Sequence, residues 1–302
     1  MTVKNLTARF FGRLVFCFAL LLLLYSATIA QPLAPNPNPS GNIIDVISYA
    51  ENQVNFDNFG TINNWPSGFI WNWDIGLIWN WDMGIITNAG TIVNDGTIAN
   101  DGDITNDGTG TIQNNGYIFN SPTGFILNDG TIDSYGDIDN DGTIQNNGTI
   151  SNSPAGNITN LGAVDNYGTI ANDGEITNDG TIQNNGTISN NPTGFIVNFG
   201  TIANDGIWYN NGTFNNQAIY KGTGTFVGTL DTGSGIVAPG SSAGTMHVDG
   251  DYILNGTGVL DIEIGGFTPG SFDFLDITGT AYLYGGTIDF SFLTGYDIAS
   301  EI

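Results

Sequence analysis

The feature that most constrains the fold of this chain is a glycine that recurs every six residues. Runs of this spacing extend over residues 84–108, 124–148, 156–186 and 194–212, and eight-residue steps carry short inserts such as NSPT, NSPA or NNPT. An aliphatic residue stands two positions after most of these glycines and an asparagine four positions after, with Ser134 as the clear departure. Glycine and asparagine at this frequency would destabilise a helix. The repeat therefore excludes a helical fold.

The repeat is typical of short strands joined by tight corners. Side chains alternate along a strand, so glycine, the aliphatic residue and asparagine share one face and threonine or a variable residue faces the other way. Asn-Asp-Gly or Asn-Asn-Gly then provides a turn. Three such units form a coil of ~18 to 20 residues, and coils stack ~4.8 Å apart.

The sequence therefore predicts an all-β fold, a parallel β-solenoid, with roughly eight coils between residues 60 and 217. Its handedness is open. Regular six-residue units are typical of left-handed solenoids, whereas the mixture of six- and eight-residue steps favours a right-handed one.

The repeated asparagines are expected to stack inside the solenoid as a hydrogen-bonded ladder. A buried amide without a partner costs ~1 to 3 kcal/mol, and the equivalent asparagine of the next coil can supply that partner. The predicted ladder includes Asn94, Asn100, Asn106, Asn146 and Asn184. The glycine is expected to provide either a positive φ or a close backbone approach at the corner.

One 21-residue segment occurs twice with 17 identical positions. It reads NDGTIQNNGTISNSPAGNITN at residues 140–160 and NDGTIQNNGTISNNPTGFIVN at residues 178–198. A segment that stacks on copies of itself explains this repetition. The residues Asn191, Pro192 and Thr193 are expected to bulge outward at a corner.

Residues 1–30 have the pattern of a secretory signal peptide. Lys4, Arg9 and Arg13 form a basic start, an apolar run follows over residues 14–25, and small residues end at a cleavage site after Ala30. The apolar run is shorter than the ~18 to 20 residues that a spanning helix needs. We therefore expect a secreted or bacterial cell-surface protein with no membrane-spanning segment after cleavage.

The expected mature chain is strongly acidic. It retains Lys221 as its one cation against 29 carboxylates, which gives a formal charge of −28. Such a chain cannot neutralise phosphates, so nucleic acid and anionic lipid are excluded as partners. Beyond the repeats, residues 31–41 are predicted to be a Pro/Asn linker, residues 42–59 an N-terminal cap or transition, and residues 218–302 a distinct β-rich region.

The repeats Gly-Thr-Ile-x-Asn resemble the passenger regions of bacterial autotransporters and filamentous-haemagglutinin-like surface proteins, which are extracellular β-helices. The more specific resemblance lies in APGSSAGTMHVDGDYILNGTGVLDIEIGG (residues 238–266) and FTPGSFDFLDITGTAYLYGGTIDFSFLTGY (residues 267–296), which are similar to the segment near the end of such passengers. The resemblance implies a secreted, outer-membrane-associated surface protein, a non-enzymatic stalk or adhesin. In autotransporters an outer-membrane barrel follows. Here the sequence stops at Ile302, so either it is a fragment of a longer product or the anchor is lost.

An aromatic cluster is the best binding candidate in the sequence. The stretch FIWNWDIGLIWNWDMG, residues 69–84, places Trp71 and Trp79 at equivalent outward positions and Trp73 and Trp81 at corners. On one flat β face these rings could stack on sugars, with a glycan or the surface of a host or neighbouring cell as partner. The alternative is that an N-terminal cap covers them, since a solenoid must block its open edge.

Aspartates recur at the corners just before glycine, among them Asp95, Asp101 and Asp107. Aligned carboxylates and carbonyls could bind Ca²⁺, which takes six to eight oxygen ligands. The glycine-rich nonapeptide of calcium-binding solenoids is missing from the sequence, so solvated turns are the alternative. No other cofactor is expected.

Catalysis has little support, and no catalytic residue is assigned. His247 is expected to face outward with Thr245 and Asp249, opposite Met246 and Val248. A β-helix hydrolase acting on polysaccharide is the alternative function, because two carboxylates about 5 to 10 Å apart suffice for that chemistry.

An ice-binding surface is a rival hypothesis, because threonines repeat on the outward side of the strands. Only one threonine occurs in each unit, and other residues interrupt the row along the sequence. The repeating threonines are Thr91, Thr97, Thr143, Thr149, Thr181 and Thr187, and the interruptions are Asp103, Asp137, Glu175 and Phe195.

Overall fold

The structure is a computed structural model that describes residues 31–294 and residue 296. The predicted signal peptide lies outside the described residues. In the described part the chain forms 38 strands. The same residues contain no helix of the length and hydrophobicity that a membrane span requires.

All but three of the strands lie in three parallel sheets that form the sides of a solenoid, and most strands pair with the strands three places before and after them in the chain. Sheet 1 contains β1 (Gln31–Pro32), β3 (Tyr49–Asn52), β6 (Phe69–Asn72), β9 (Thr91–Asn94), β12 (Thr111–Asn114), β15 (Thr131–Ser134), β18 (Thr149–Asn152), β21 (Thr169–Asn172), β24 (Thr187–Asn190), β27 (Ile207–Asn210), β30 (Thr225–Val227), β33 (Thr245–Asp249) and β36 (Phe274–Ile277).

Sheet 2 contains β4 (Asn55–Asn58), β7 (Leu77–Asn80), β10 (Thr97–Asn100), β13 (Tyr117–Asn120), β16 (Asp137–Asn140), β19 (Asn157–Asn160), β22 (Glu175–Asn178), β25 (Phe195–Asn198) and β28 (Thr213–Asn216). A three-stranded sheet then follows, whose first strand contacts β28. It consists of β31 (Leu230–Asp231), β34 (Tyr252–Leu254) and β37 (Ala281–Leu283).

Sheet 3 contains β2 (Ile43–Val46), β5 (Thr61–Asn64), β8 (Ile85–Asn88), β11 (Asp103–Asn106), β14 (Phe125–Asn128), β17 (Thr143–Asn146), β20 (Ala163–Asn166), β23 (Thr181–Asn184), β26 (Thr201–Asn204), β29 (Ile219–Gly222), β32 (Ile236–Pro239), β35 (Val259–Ile264) and β38 (Thr287–Phe292).

The register places like residues on like residues. Ile98 pairs with Ile118, and Asn100 pairs with Asn120, where β10 meets β13. With 13 strands in each of two sheets, the described chain makes about 12 turns. The predicted parallel β-solenoid is confirmed. The 24 strands from β5 to β28 correspond to the eight predicted coils, and the same winding continues on either side of them.

The interior is a column of isoleucines, followed toward the C-terminus by a cluster of aromatic rings and further apolar residues. The aliphatic residue of each repeat is buried, as at Ile98 and Ile202, while the first residue of each repeat strand, often threonine, faces outward. Toward the C-terminus, the ring of Trp208 lies 4.9 Å from that of Phe214. Burial of apolar surface on this scale is the main favourable term in forming the rod.

Three asparagine ladders run along the interior, one at the end of each sheet's strands. The side-chain amide of Asn94 donates to Asn114 Oδ1 at 2.8 Å, and the same bond recurs in the other two sheets from Asn100 and Asn106. The amides of Asn146 and Asn184 donate in the same way to the next coil at 2.7 Å. The predicted ladder is confirmed. These five amides all donate toward the C-terminal end, so the ladders have a direction.

The repeat glycines serve close backbone approach. The described glycines with positive φ are Gly41 and several glycines between residues 222 and 286, all outside the six-residue repeats. A Cβ on Gly110 would lie 2.1 Å from the carbonyl oxygen of Asn88, whereas one on Gly108 would meet nothing within 4 Å. Of the two expected roles, positive φ is therefore wrong for the repeats. At this corner Gly110, not Gly108, takes the structural position.

The eight-residue units widen a corner by two residues. In one of them, Gly194 donates its N–H to the carbonyl of Asn191 at 2.8 Å, which closes a turn. Pro192 and Thr193 in this turn are exposed. The expected outward bulge is confirmed.

Residues 31–41 pack against the solenoid, which differs from the unpacked linker that their composition predicts. Leu33 is buried at the start of the isoleucine column. The amide of buried Asn38 donates to Asn58 Oδ1 at 2.7 Å and begins the sheet 2 ladder. The proline-rich composition of this segment gives no sequence signal that Leu33 and Asn38 face inward. Residues 42–59 likewise contain β2 to β4, which are members of the regular coils.

Candidate functional site

The four candidate tryptophans lie at two corners of the rod. Trp71 belongs to β6 in sheet 1, and Trp79 belongs to β7 in sheet 2. The prediction of a single flat face carrying both is therefore wrong. Successive repeat units occupy successive sides of a three-sided coil, so residues on one side are a full turn apart in sequence.

Each of these two corners holds a stacked pair of indoles. The rings of Trp71 and Trp73 are 4.3 Å apart at an interplanar angle of 3°, and those of Trp79 and Trp81 are 4.2 Å apart at 7°. Trp81 also stacks on Phe59, with centroids 5.4 Å apart. All four tryptophans are half-buried. Much of the ring area that could contact a sugar therefore contacts another ring.

The indole N–H groups bond carboxylates in the coils before and after. Trp71 donates to Asp95 at 2.6 Å in the next coil, and Trp73 donates to Glu51 at 3.4 Å in the preceding coil. Each pair therefore connects three consecutive coils. We call these arrangements the tryptophan staples.

The second staple repeats the first at the next corner. Trp79 donates to Asp101 at 2.6 Å and Trp81 donates to Asp57 at 3.2 Å. At the third corner, Trp65 donates to Asp45 at 3.1 Å. Hydrogen bonds to a charged acceptor are stronger than those between neutral groups. This geometry favours a structural role in the first coils, and glycan stacking on these tryptophans stays a prediction.

The three candidate calcium ligands lie at three different corners of one coil. Asp95, Asp101 and Asp107 follow β9, β10 and β11, which belong to the three different sheets. Asp95 accepts hydrogen bonds from Trp71 and from Asn115, the latter at 2.7 Å. In the part of the chain that the structure describes, no three acidic, histidine or cysteine side chains form a group suited to a metal ion. These three aspartates do not share a site.

His247 faces outward, as strand alternation predicts. It lies in β33 with Met246 and Val248 buried on either side. Its Nδ1 is 3.0 Å from Oδ2 of Asp276, and both side chains are about half exposed. Asp276 comes 29 residues later. The sequence missed this pair because the hexad spacing no longer sets the register there.

A groove near the C-terminus was also missed. It has a volume of about 210 Å³, and its lining includes Lys221, Asp261, Glu263 and Asp273. Asp273 is buried and accepts N–H groups of Gly244 at 2.8 Å and Glu263 at 2.7 Å. Burial raises the pKa of this carboxyl, although both hydrogen bonds favour its charged form. The groove residues come from strands far apart in sequence, and no short motif marks them.

The structure sorts the threonines differently from the sequence. Six consecutive strands of sheet 1, from β9 to β24, begin with threonine. They are Thr91, Thr111, Thr131, Thr149, Thr169 and Thr187. The residues expected to interrupt the row lie elsewhere, Asp103 in sheet 3 and Asp137, Glu175 and Phe195 in sheet 2. The expected interruption is therefore wrong. We call this row the threonine column.

Many of the polar side chains described above thus bond one coil of the rod to another. The ladder amides and staple carboxylates bond neighbouring coils, and His247 bonds one coil away. The threonine column differs, because its hydroxyls face outward. Neither a protein-family model nor a curated protein matches this sequence.

Proposed function

We propose that this chain is a secreted or surface-displayed, non-enzymatic β-solenoid that acts as a stalk or adhesin-like rod. The observation that carries the proposal is the set of three asparagine ladders that bond coil to coil in one direction. Such a scaffold resists bending because, over most of the repeat region, the ladders bond each coil to the next on all three sides. About 12 turns, at ~4.8 Å per turn, form a rod of roughly 58 Å.

The surface chemistry is consistent with display outside the cell. The expected mature charge of −28 keeps rods apart and in solution. The tryptophan staples hold the first coils together. They lie near the N-terminal end of the rod, which would either be presented to a partner or be covered by a cap. The resemblance to passenger segments supports export, with the outer membrane of a bacterium as the site of display.

Rod formation can be tested on the chain that begins after Ala30. Small-angle scattering and negative-stain microscopy should show a stiff particle roughly 58 Å long. A compact sphere or a flexible coil would contradict the proposal. Display is tested separately, by protease treatment of intact cells that make the full chain. Resistance of the protein to protease in intact cells, together with its digestion after lysis, would contradict surface exposure.

The adhesin version requires a ligand, and a glycan array provides the test. We expect wild type to bind a subset of glycans and Trp71→Ala to lose that binding. Tyr167→Ala is a suitable control, because Tyr167 is an exposed aromatic residue at a corner outside the staples. Absence of binding by the wild type, or equal loss in both variants, would contradict glycan contact through the tryptophans and leave the stalk version standing.

A further inference from the structure

The threonine column is a straight, repeating row of one side-chain type on a rigid face. Each threonine is in register with the next one along sheet 1, through five consecutive strand pairings. At ~4.8 Å per coil, six positions extend over roughly 24 Å. No charged residue interrupts the row itself. A surface of this kind can match only a ligand that is itself periodic.

The backbone beneath the column is fixed by the ladder of sheet 3. The carbonyl oxygen of Thr91 accepts the amide of Asn64 at 3.0 Å, and that of Thr131 accepts the amide of Asn106 at 2.9 Å. The other four threonines accept equivalent bonds of 2.9 to 3.1 Å. Threonine is also stiff at χ1 because it is β-branched. Both effects hold the hydroxyls in place before any ligand arrives.

The six hydroxyls have no hydrogen-bond partner within the part of the protein that the structure describes. Among the described residues, none of them takes part in a side-chain hydrogen bond, although outward polar groups elsewhere pair between coils, as Asn147 does with Asp129 at 2.7 Å. The side chains are half-buried. Each hydroxyl can both donate and accept, and the adjacent methyl group limits the water that must be displaced.

We propose that the threonine column binds the surface of ice. Water in ice is a fixed lattice of donors and acceptors, so a rigid row of uncharged hydroxyls and methyls can join it without reordering. In a linear glycan site, aromatic rings usually provide stacking surfaces. The neighbouring outward positions of the six strands carry no aromatic ring, but Val93, Gln113, Asp133, Ser151, Ala171 and Ser189. The last three of these residues are small, so the threonines of that half of the column project beyond their neighbours.

The chain provides a matched control for the test. The hexapeptide TIQNNG occurs at residues 111–116, 143–148 and 181–186. Its threonine lies in the column at Thr111 and in sheet 3 at Thr143 and Thr181. We compare the double variant Thr111→Lys/Thr149→Lys with Thr143→Lys/Thr181→Lys, which has the same charge change. The first leaves no more than two adjacent threonines in the column.

The readouts are thermal hysteresis and the shape of ice crystals grown in solutions of the mature chain, with circular dichroism to verify folding. Wild type and the sheet 3 double variant should both shape ice, and the column double variant should lose this activity while folded. Thr131→Val, which keeps the shape but removes one hydroxyl, should reduce it. No effect of the wild type on ice would overturn the inference. So would equal loss in both double variants, or binding of the column to insoluble polysaccharide without any effect on ice.

Discussion

Ser134 precedes Asn152 in the ladder of sheet 1, and it leaves Oδ1 of Asn152 buried without a hydrogen-bond donor. The Ser134 hydroxyl donates to the Gly136 carbonyl at 3.0 Å and does not reach the next coil. Oδ1 of Asn64 is likewise buried without a donor, because the preceding residue in sheet 3 is Val46, which has no side-chain amide. Because all amides of a ladder donate in the same direction, a break leaves the next asparagine with a buried side-chain oxygen that has no donor.

Restoring the missing amide should stabilise the rod. Ser134→Asn is expected to raise the free energy of unfolding by about 1 to 2 kcal/mol, because a buried acceptor gains its donor. Urea unfolding followed by circular dichroism measures the change. Ser189→Asn, which adds an outward amide on the same sheet, is the control. If the two variants gain the same stability, the ladder explanation is wrong.

Removing an amide from inside the ladder should have the opposite effect. Asn184 donates to Asn204 at 2.7 Å, whereas the adjacent Asn185 is exposed at a corner. Asn184→Ala should destabilise the chain by about 1 to 3 kcal/mol, because it orphans buried groups in neighbouring coils. Asn185→Ala should stay within about 0.5 kcal/mol of wild type. Equal losses in thermal unfolding would contradict this interpretation.

Two glycines of one corner should respond differently to the same change. Gly110→Ala forces a Cβ to 2.1 Å from the Asn88 carbonyl oxygen, while Gly108→Ala meets open space. We expect a loss of about 1 to 3 kcal/mol or more for Gly110→Ala from overpacking and little change for Gly108→Ala. Chemical unfolding of both proteins provides the comparison, and a neutral Gly110→Ala would show that the coils can separate locally.

The tryptophan staple predicts energetic coupling between Trp71 and Asp95. Trp71→Phe keeps a ring at the stack but removes the N–H that donates at 2.6 Å. In a double-mutant cycle with Asp95→Ala, the coupling should exceed about 0.5 kcal/mol, the level expected for residues in direct contact. Additive losses would indicate that the stacking, not the hydrogen bond, holds the first coils together.

Stability should fall at high pH through a buried tyrosine. Burial raises the pKa of Tyr252 to about 12, while Thr232 donates a hydrogen bond to its hydroxyl. Since the folded pKa lies above the unfolded value of about 10, the contribution is complete below that value and is lost as the pH rises through about 12. The loss is on the order of 3 kcal/mol. Urea midpoints of wild type and Tyr252→Phe across this range should diverge. Parallel curves would contradict the assignment.

The sequence predicted the fold well because the repeat sets strand, corner and face within every six residues. The spacing of isoleucine, asparagine and glycine was enough to place all three inside. It did not predict which outward residues become neighbours. Trp71 and Trp79, eight residues apart, lie on different sides, whereas Thr149 and Thr169, twenty apart, are adjacent. Neighbours on one side depend on the length of a whole turn, which the inserts change from coil to coil.

The near-identical segments at residues 140–160 and 178–198 lie in the same places of the winding. Asn140 is in register with Asn160, Asn160 with Asn178, and Asn178 with Asn198. The two copies are therefore offset by two complete turns. A chain built this way can lengthen by duplicating whole turns, because such an insertion joins every ladder at both seams. Adding or deleting a single six-residue unit within the column would instead rotate all later units by one side and split the threonine column between two sides. The rod can therefore be lengthened without disturbing its ladders only in steps of one complete turn.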